Sequence, residues 1–120
     1  MPTYVALLRY TQKGMETLKD SPTRREAAKN LFASVGAKLK DVYMTMGQYD
    51  AVAIAEAPND ETMAKLALTG ASQGYLRTET MRAFTEDEIN KIVAPPALKR
   101  RTPTYRISDN PMVFATFDGG

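Results

Sequence analysis

Apolar residues run together or alternate in four short stretches of the chain and recur at helical spacing in three others. TYVALLRY, residues 3–10, is β-branched and aromatic and ends at the polar TQKG, which predicts a strand buried in part on both faces. In DSPTRREAAKNLFASVG, Ala27, Ala28, Leu31, Phe32 and Val35 share one helical face. Ser21 suits the N-cap of that helix, Pro22 its first helical position and Gly36 its stop. AKLKDVYMTM (37–46) and YDAVAIAEA (49–57) read as strands two and three, joined by a tight reversal at Gly47-Gln48. Met63, Ala64, Leu66, Ala67 and Leu68 predict a second helix, frayed by Gly70 and Gly74. YLRTETMRAF (75–84) alternates as a fourth strand. Thr85 and Glu88 then have capping-box form ahead of Ile89, Ile92 and Val93, a short third helix that ends at Pro95-Pro96.

The order βαββαβ with short connections predicts an α+β, ferredoxin-like fold: a four-stranded antiparallel sheet with both main helices on one face and the other face bare. A helix of about 14 residues spans roughly 21 Å, close to the length of a seven-residue strand, so the elements match in size. Residues 1–94 form the expected domain. Residues 95–120 are an extended C-terminal tail with an apolar MVFATF, expected to lie along the sheet or along a partner chain.

Composition narrows the chemistry more than it narrows the fold. The chain has 43% apolar and 25% charged residues and a net charge of +2, too small to advertise nucleic acid or an anionic membrane. It contains no cysteine and no histidine, so disulfides, thiolate nucleophiles, Cys/His zinc sites and Ser-His-Asp chemistry are excluded within these residues. No metal site and no cofactor is called for. The N-terminus lacks the basic start and long apolar run of a secretory signal, and no stretch reaches the roughly 20 apolar residues of a membrane helix, so the expectation is a cytoplasmic protein.

Four blocks, the LLRYTQKG end of strand one, the KDSPTRR entry to helix one, GQYDAVAIAEAP and RTETMRAFT, resemble in that order the GYD domain family. Its namesake Gly-x-Tyr-Asp stands here as Gly47, Tyr49 and Asp50. The resemblance covers residues 1–94 and implies a ferredoxin-like domain akin to the dimeric α/β-barrel proteins, whose subunits close their bare sheet faces on each other. It implies no established activity.

Five residues are candidates for binding. Tyr49 and Asp50 are successive residues at a strand end and point to opposite faces; Asp50 is expected to tie down the hairpin or pair with an arginine rather than act as a base. Strand four carries Arg77 and Glu79 on one face, a surface ion pair or the lining of a carboxylate or phosphate site. Tyr43 joins Asp50 and Arg77 as a candidate for proton or charge handling. Lys19, Ser21 and Arg24 gather at the start of helix one as a weaker anion site. Ala51, Ala53 and Ala55 form a small-residue stripe that suits close helix packing or, on the open face, a ligand. RNA-recognition domains share the βαββαβ order, but Ala51 stands where a second stacking aromatic is wanted beside Tyr4 and Tyr49, so nucleic acid is disfavoured. The reading that emerges is a small homo-oligomer, a dimer or larger, that binds a small molecule or a protein partner through the open sheet face. The alternative is a cofactor-independent enzyme with its site between sheet and helices.

Overall fold

The computed structural model describes residues 1–94. Their elements are β1 (Thr3–Tyr10), α1 (Gln12–Glu16), α2 (Ser21–Ser34), β2 (Lys38–Met44), β3 (Ala51–Glu56), α3 (Asp60–Ser72), β4 (Leu76–Ala83) and α4 (Glu86–Ile92). The strands make one antiparallel sheet in the order β2-β3-β1-β4, the ferredoxin-like arrangement expected from the sequence. The 95–120 tail and the proposed end of the last helix at Pro95-Pro96 lie outside the described residues. Residues 1–84 form one compact unit and a second begins at Thr85. Within the second, α4 carries the anticipated capping box: Glu88 N–H donates to Thr85 Oγ1 at 3.2 Å, and Thr85 N–H donates to Glu88 Oε1 at 2.8 Å.

Strand register sorts the side chains onto two faces. Tyr4, Ala6, Leu8 and Tyr10 of β1 stand beside Ala55, Ala53 and Ala51 of β3 and beside Arg82, Thr80, Thr78 and Leu76 of β4, on the helix side. Val5, Leu7 and Arg9 share the opposite face with Ile54, Val52, Met81, Glu79 and Arg77. The core lies on the helix side, where Tyr4, Ala37, Ala55, Ala57, Met63 and Leu66 are buried and Leu31, Phe32 and Leu39 pack against them.

Local detail departs from the sequence reading in four places. TQKG is the start of α1 rather than a bare turn. Thr11 caps that helix, accepting from Gly14 N–H at 3.1 Å, and ties it to the end of α3 by donating to Gly74 O at 2.6 Å. Gly14 is buried, and a Cβ there would stand 2.2 Å from Tyr75 O, so only glycine allows the approach. Ser21 is the first residue of α2 rather than its cap: a 3-10 turn, Leu18–Asp20, runs straight into the helix, and Asp20 at the cap makes no side-chain hydrogen bond. The buried face of α2 is also narrower than the sequence suggests. Ala28, Leu31 and Phe32 are half-buried, Ala27 is exposed, and Val35 has already left the helix at φ −115°. Finally, the β2–β3 connection is a wide loop from Thr45 to Asp50, pinned by Thr45 N–H to Asp50 O at 2.9 Å, with Gly47 at φ 120°.

Candidate functional site

The two faces of the sheet offer two different surfaces. On the face away from the helices, half-buried Val5, Leu7, Val52 and Ile54 make a central apolar strip. Arg9 and Arg77 sit directly opposite each other on β1 and β4 at one end of it. Among the described residues no carboxylate forms an ion pair with either guanidinium. Arg9 instead lies over the ring of Tyr49, 5.0 Å from its centroid, and Tyr49 Oη donates to Glu79 Oε1 at 3.1 Å. Tyr43, 58% exposed, flanks the strip from β2, opposite Val52. At the other end Lys40 pairs with Glu56 at 3.5 Å.

The structure therefore gathers Tyr43, Tyr49, Arg77 and Glu79 on one face and leaves Asp50 apart from them. Asp50 Oδ2 accepts the Tyr10 main-chain N–H at 2.8 Å, while its own N–H donates to Leu8 O at 2.8 Å. Its side chain thus extends the β1–β3 ladder one step beyond the last main-chain pair. Tyr43, Arg77 and Glu79 lie outside the space between sheet and helices.

That space holds a cavity of about 500 Å³. The alanine stripe of β3 faces it, but the helices do not close down on the stripe along its whole length: Ala55 is covered by the core, whereas Ala51 and Ala53 line the cavity with Ala6 and Leu8. Across from them stand Ala67, Gly70 and Ala71 of α3, too small to fill the gap. Among the described residues no aspartate or glutamate lines the cavity, so none of them supplies it with a carboxylate general acid or base. Lys19, Ser21 and Arg24 do not converge. Lys19 is exposed, Ser21 accepts a 3.3 Å hydrogen bond from Arg25, and Arg24 turns inward to the cavity wall. Sequence reasoning passed over Tyr75, whose ring packs under the Arg24 guanidinium 4.2 Å from its centroid; its place beside a glycine at the start of a strand gave no pattern to flag it.

A second cluster closes the packed end. Tyr4 Oη donates to Asp60 Oδ1, and Arg82 lies 3.8 Å from the same carboxylate. Burial, and then the hydrogen bond to Asp60, raise the Tyr4 hydroxyl above its ordinary pKa of 10.0. Among the described residues no three acidic side chains gather closely enough to hold a metal ion, and no helix is long and apolar enough to cross a membrane.

Comparison with known proteins bears on the whole of this architecture. The model of the GYD domain matches residues 4–93. A protein of Thermus thermophilus, named glutamine synthetase and cystathionine beta-lyase binding protein, is 36% identical over 85 residues, which cover 70% of this chain and 90% of that one. A crystal structure of a Thermus thermophilus protein aligns with a TM-score of 0.47 and 26% identity, over 71% of this chain and 95% of its own. The family match spans the sheet, its helices and the Gly47-x-Tyr49-Asp50 corner, and the chain belongs to the GYD domain family.

Proposed function

We propose that this chain works by binding other proteins through the sheet face turned away from its helices. The observation that carries the reading is the composition of that face: a strip of Val5, Leu7, Val52 and Ile54 with the paired cations Arg9 and Arg77 at its end. Two guanidiniums held side by side with no ion-pair partner among the described residues fit a partner whose own apolar patch is bordered by carboxylates. The relative's name supports a protein as the occupant, and glutamine synthetase and cystathionine beta-lyase are the first partners to try. The binding unit is residues 1–94, acting in the cytoplasm, with 95–120 as an extension to it.

The test is surface plasmon resonance between the full chain and each of these two enzymes from its own host, with Val52→Glu and Arg77→Glu as variants. Val52→Glu places a charge in the middle of the strip and abolishes binding; Arg77→Glu weakens it and flattens its salt dependence. Both variants keep the parent's far-ultraviolet circular dichroism. Unchanged affinity in both overturns the reading. Light scattering of the chain alone decides whether the same face also closes on a second copy: a 13.3 kDa particle at micromolar concentration excludes a homo-oligomer.

A further inference from the structure

We infer that the cavity between sheet and helices is a binding site for a small monocarboxylate with an apolar body, its head group held by Arg24. This goes beyond the protein-binding reading and does not depend on it, because the cavity and the open face lie on opposite sides of the sheet.

The volume is the first reason. About 500 Å³ lies within the range of small-molecule sites. The space is also built rather than left over, since small residues line it from three elements: Ala6 of β1, Ala51 and Ala53 of β3, and Ala67, Gly70 and Ala71 of α3. Gly70 shows the effect best. It follows Met63 and Leu66 on the same helical stripe, seven and four residues on, where a third large side chain would complete the core. A Cβ at Gly70 would meet nothing within 4 Å.

The second reason is the state of Arg24. Its Nη1 donates to Thr17 O and Thr17 Oγ1, both at 3.2 Å, and its guanidinium lies over Tyr75 at 4.2 Å, so the plane of the head group is fixed. Nη2 is buried and has no hydrogen-bond partner among the described residues. A buried, unpaired donor on a cation is unfavourable unless something accepts from it. The lining residues include no acidic side chain to do so. A carboxylate entering the cavity offsets the charge and, with a shift of the guanidinium that uncovers Nη2, accepts from it, and the apolar wall beyond, Leu8, Phe32 and Leu66 among others, takes the ligand's body.

Phosphate esters carry more charge than Arg24 alone offsets, and Arg25, the other cation of the lining, is exposed and turned to Ser21; neutral lipids can accept from a guanidinium but leave its charge uncompensated. The class that remains is a monoanion with one carboxylate, whether its body is an alkyl chain or an aromatic ring.

Isothermal titration calorimetry on the full chain tests this with decanoate, phenylpropionate and, as the uncharged control, decanol. The parent is expected to bind at least one of the acids, the stronger one naming the body, and to bind decanol at least tenfold more weakly. Arg24→Gln should lose tenfold or more for the acid and leave decanol unchanged. Gly70→Leu should abolish binding of the acid while melting no lower than the parent, so that its loss cannot be ascribed to unfolding. The inference is overturned if neither acid binds the parent, if decanol binds as well as the acids, or if Gly70→Leu binds like the parent. None of these outcomes touches Val52 or Arg77, so the protein-binding reading stands or falls separately.

Discussion

At one end of the sheet Tyr4, Ala55 and Ala57 close against Met63 and Leu66; at the other, Ala6, Ala51 and Ala53, on the same two strands, face Gly70 and Ala71 across open space. The strands contribute alanine at both ends of β3, so the difference comes from what stands opposite. Where α3 offers Met63 and Leu66, both 5% exposed, alanine lets a helix approach and the interior fills. Where α3 offers glycine and alanine, the same small residue makes a hole. Stability is thus concentrated at the packed end, while the hollow end is held mainly by hydrogen bonds along its rim: Asp50 to Tyr10, and Thr11 to Gly74 and Tyr75.

The hardest test of this contrast is to remove a side chain from the packed end. Leu66→Ala should destabilise the fold by about 2–5 kcal/mol in urea denaturation, because the lost contacts leave a cavity that the sheet cannot collapse into. A cost below about 1 kcal/mol would mean that the packed end is no tighter than the hollow one.

Next in size is the rim. Asp50→Ala should cost about 1–3 kcal/mol by leaving the Tyr10 N–H without its acceptor, and Asp50→Asn should cost less because the amide oxygen can still accept. Thermal melts of the two variants check the order. If both melt higher than the parent, the carboxylate is held against the interests of stability and its place in the strand ladder is not its purpose.

Gly70→Ala should move in the opposite direction, stabilising α3 by up to about 1 kcal/mol, since the helix gains propensity and the new methyl group meets no obstacle. Loss of stability instead would show the hollow end to be closed in solution. The smallest effect is confined to alkaline pH. The folded state holds the Tyr4 proton more tightly than the unfolded chain does, so this contribution is complete below the unfolded pKa of about 10 and is lost as pH rises through the higher folded value. Tyr4→Phe should therefore flatten the decline in melting temperature above that pH, without altering the slope near neutrality.

Much of the architecture could be read from the chain itself. β1 and the capping box of α4 stand as the residues suggested, because β-branched runs and Thr-x-x-Glu spacing act locally. The α2 face was less legible, since Ala27 and Val35 fit the helical period yet lie at the margin of a helix under which the interior is partly empty. The candidate residues divide in the same way. Alternation alone separates Tyr49 from Asp50 and puts Arg77 with Glu79, but only strand order brings Tyr49 of the β2–β3 loop to Glu79 on β4 across β1. The cavity was invisible because its cause is a coincidence of small residues on three elements, and an alanine stripe reads the same whether a large or a small side chain faces it. Arg24 was singled out for its position at a helix start; its unpaired Nη2 and its seat on Tyr75 depend on contacts between residues some fifty positions apart.

The two edges of the sheet are not equivalent, and this limits how the protein can aggregate. The ladder of β2 breaks between Leu39 and Asp41, where Lys40 is bulged out, and Lys38 beside it is also exposed. A bulge and two lysines deny an incoming strand a regular row of donors and acceptors. β4, at the other edge, pairs with β1 without interruption from Leu76 to Ala83. Head-to-tail polymerisation by strand addition needs both edges, one to present and one to receive. With β2 blocked, any copy that docked on β4 would do so through its own β4, and the growing sheet would end at a pair instead of lengthening into a fibre.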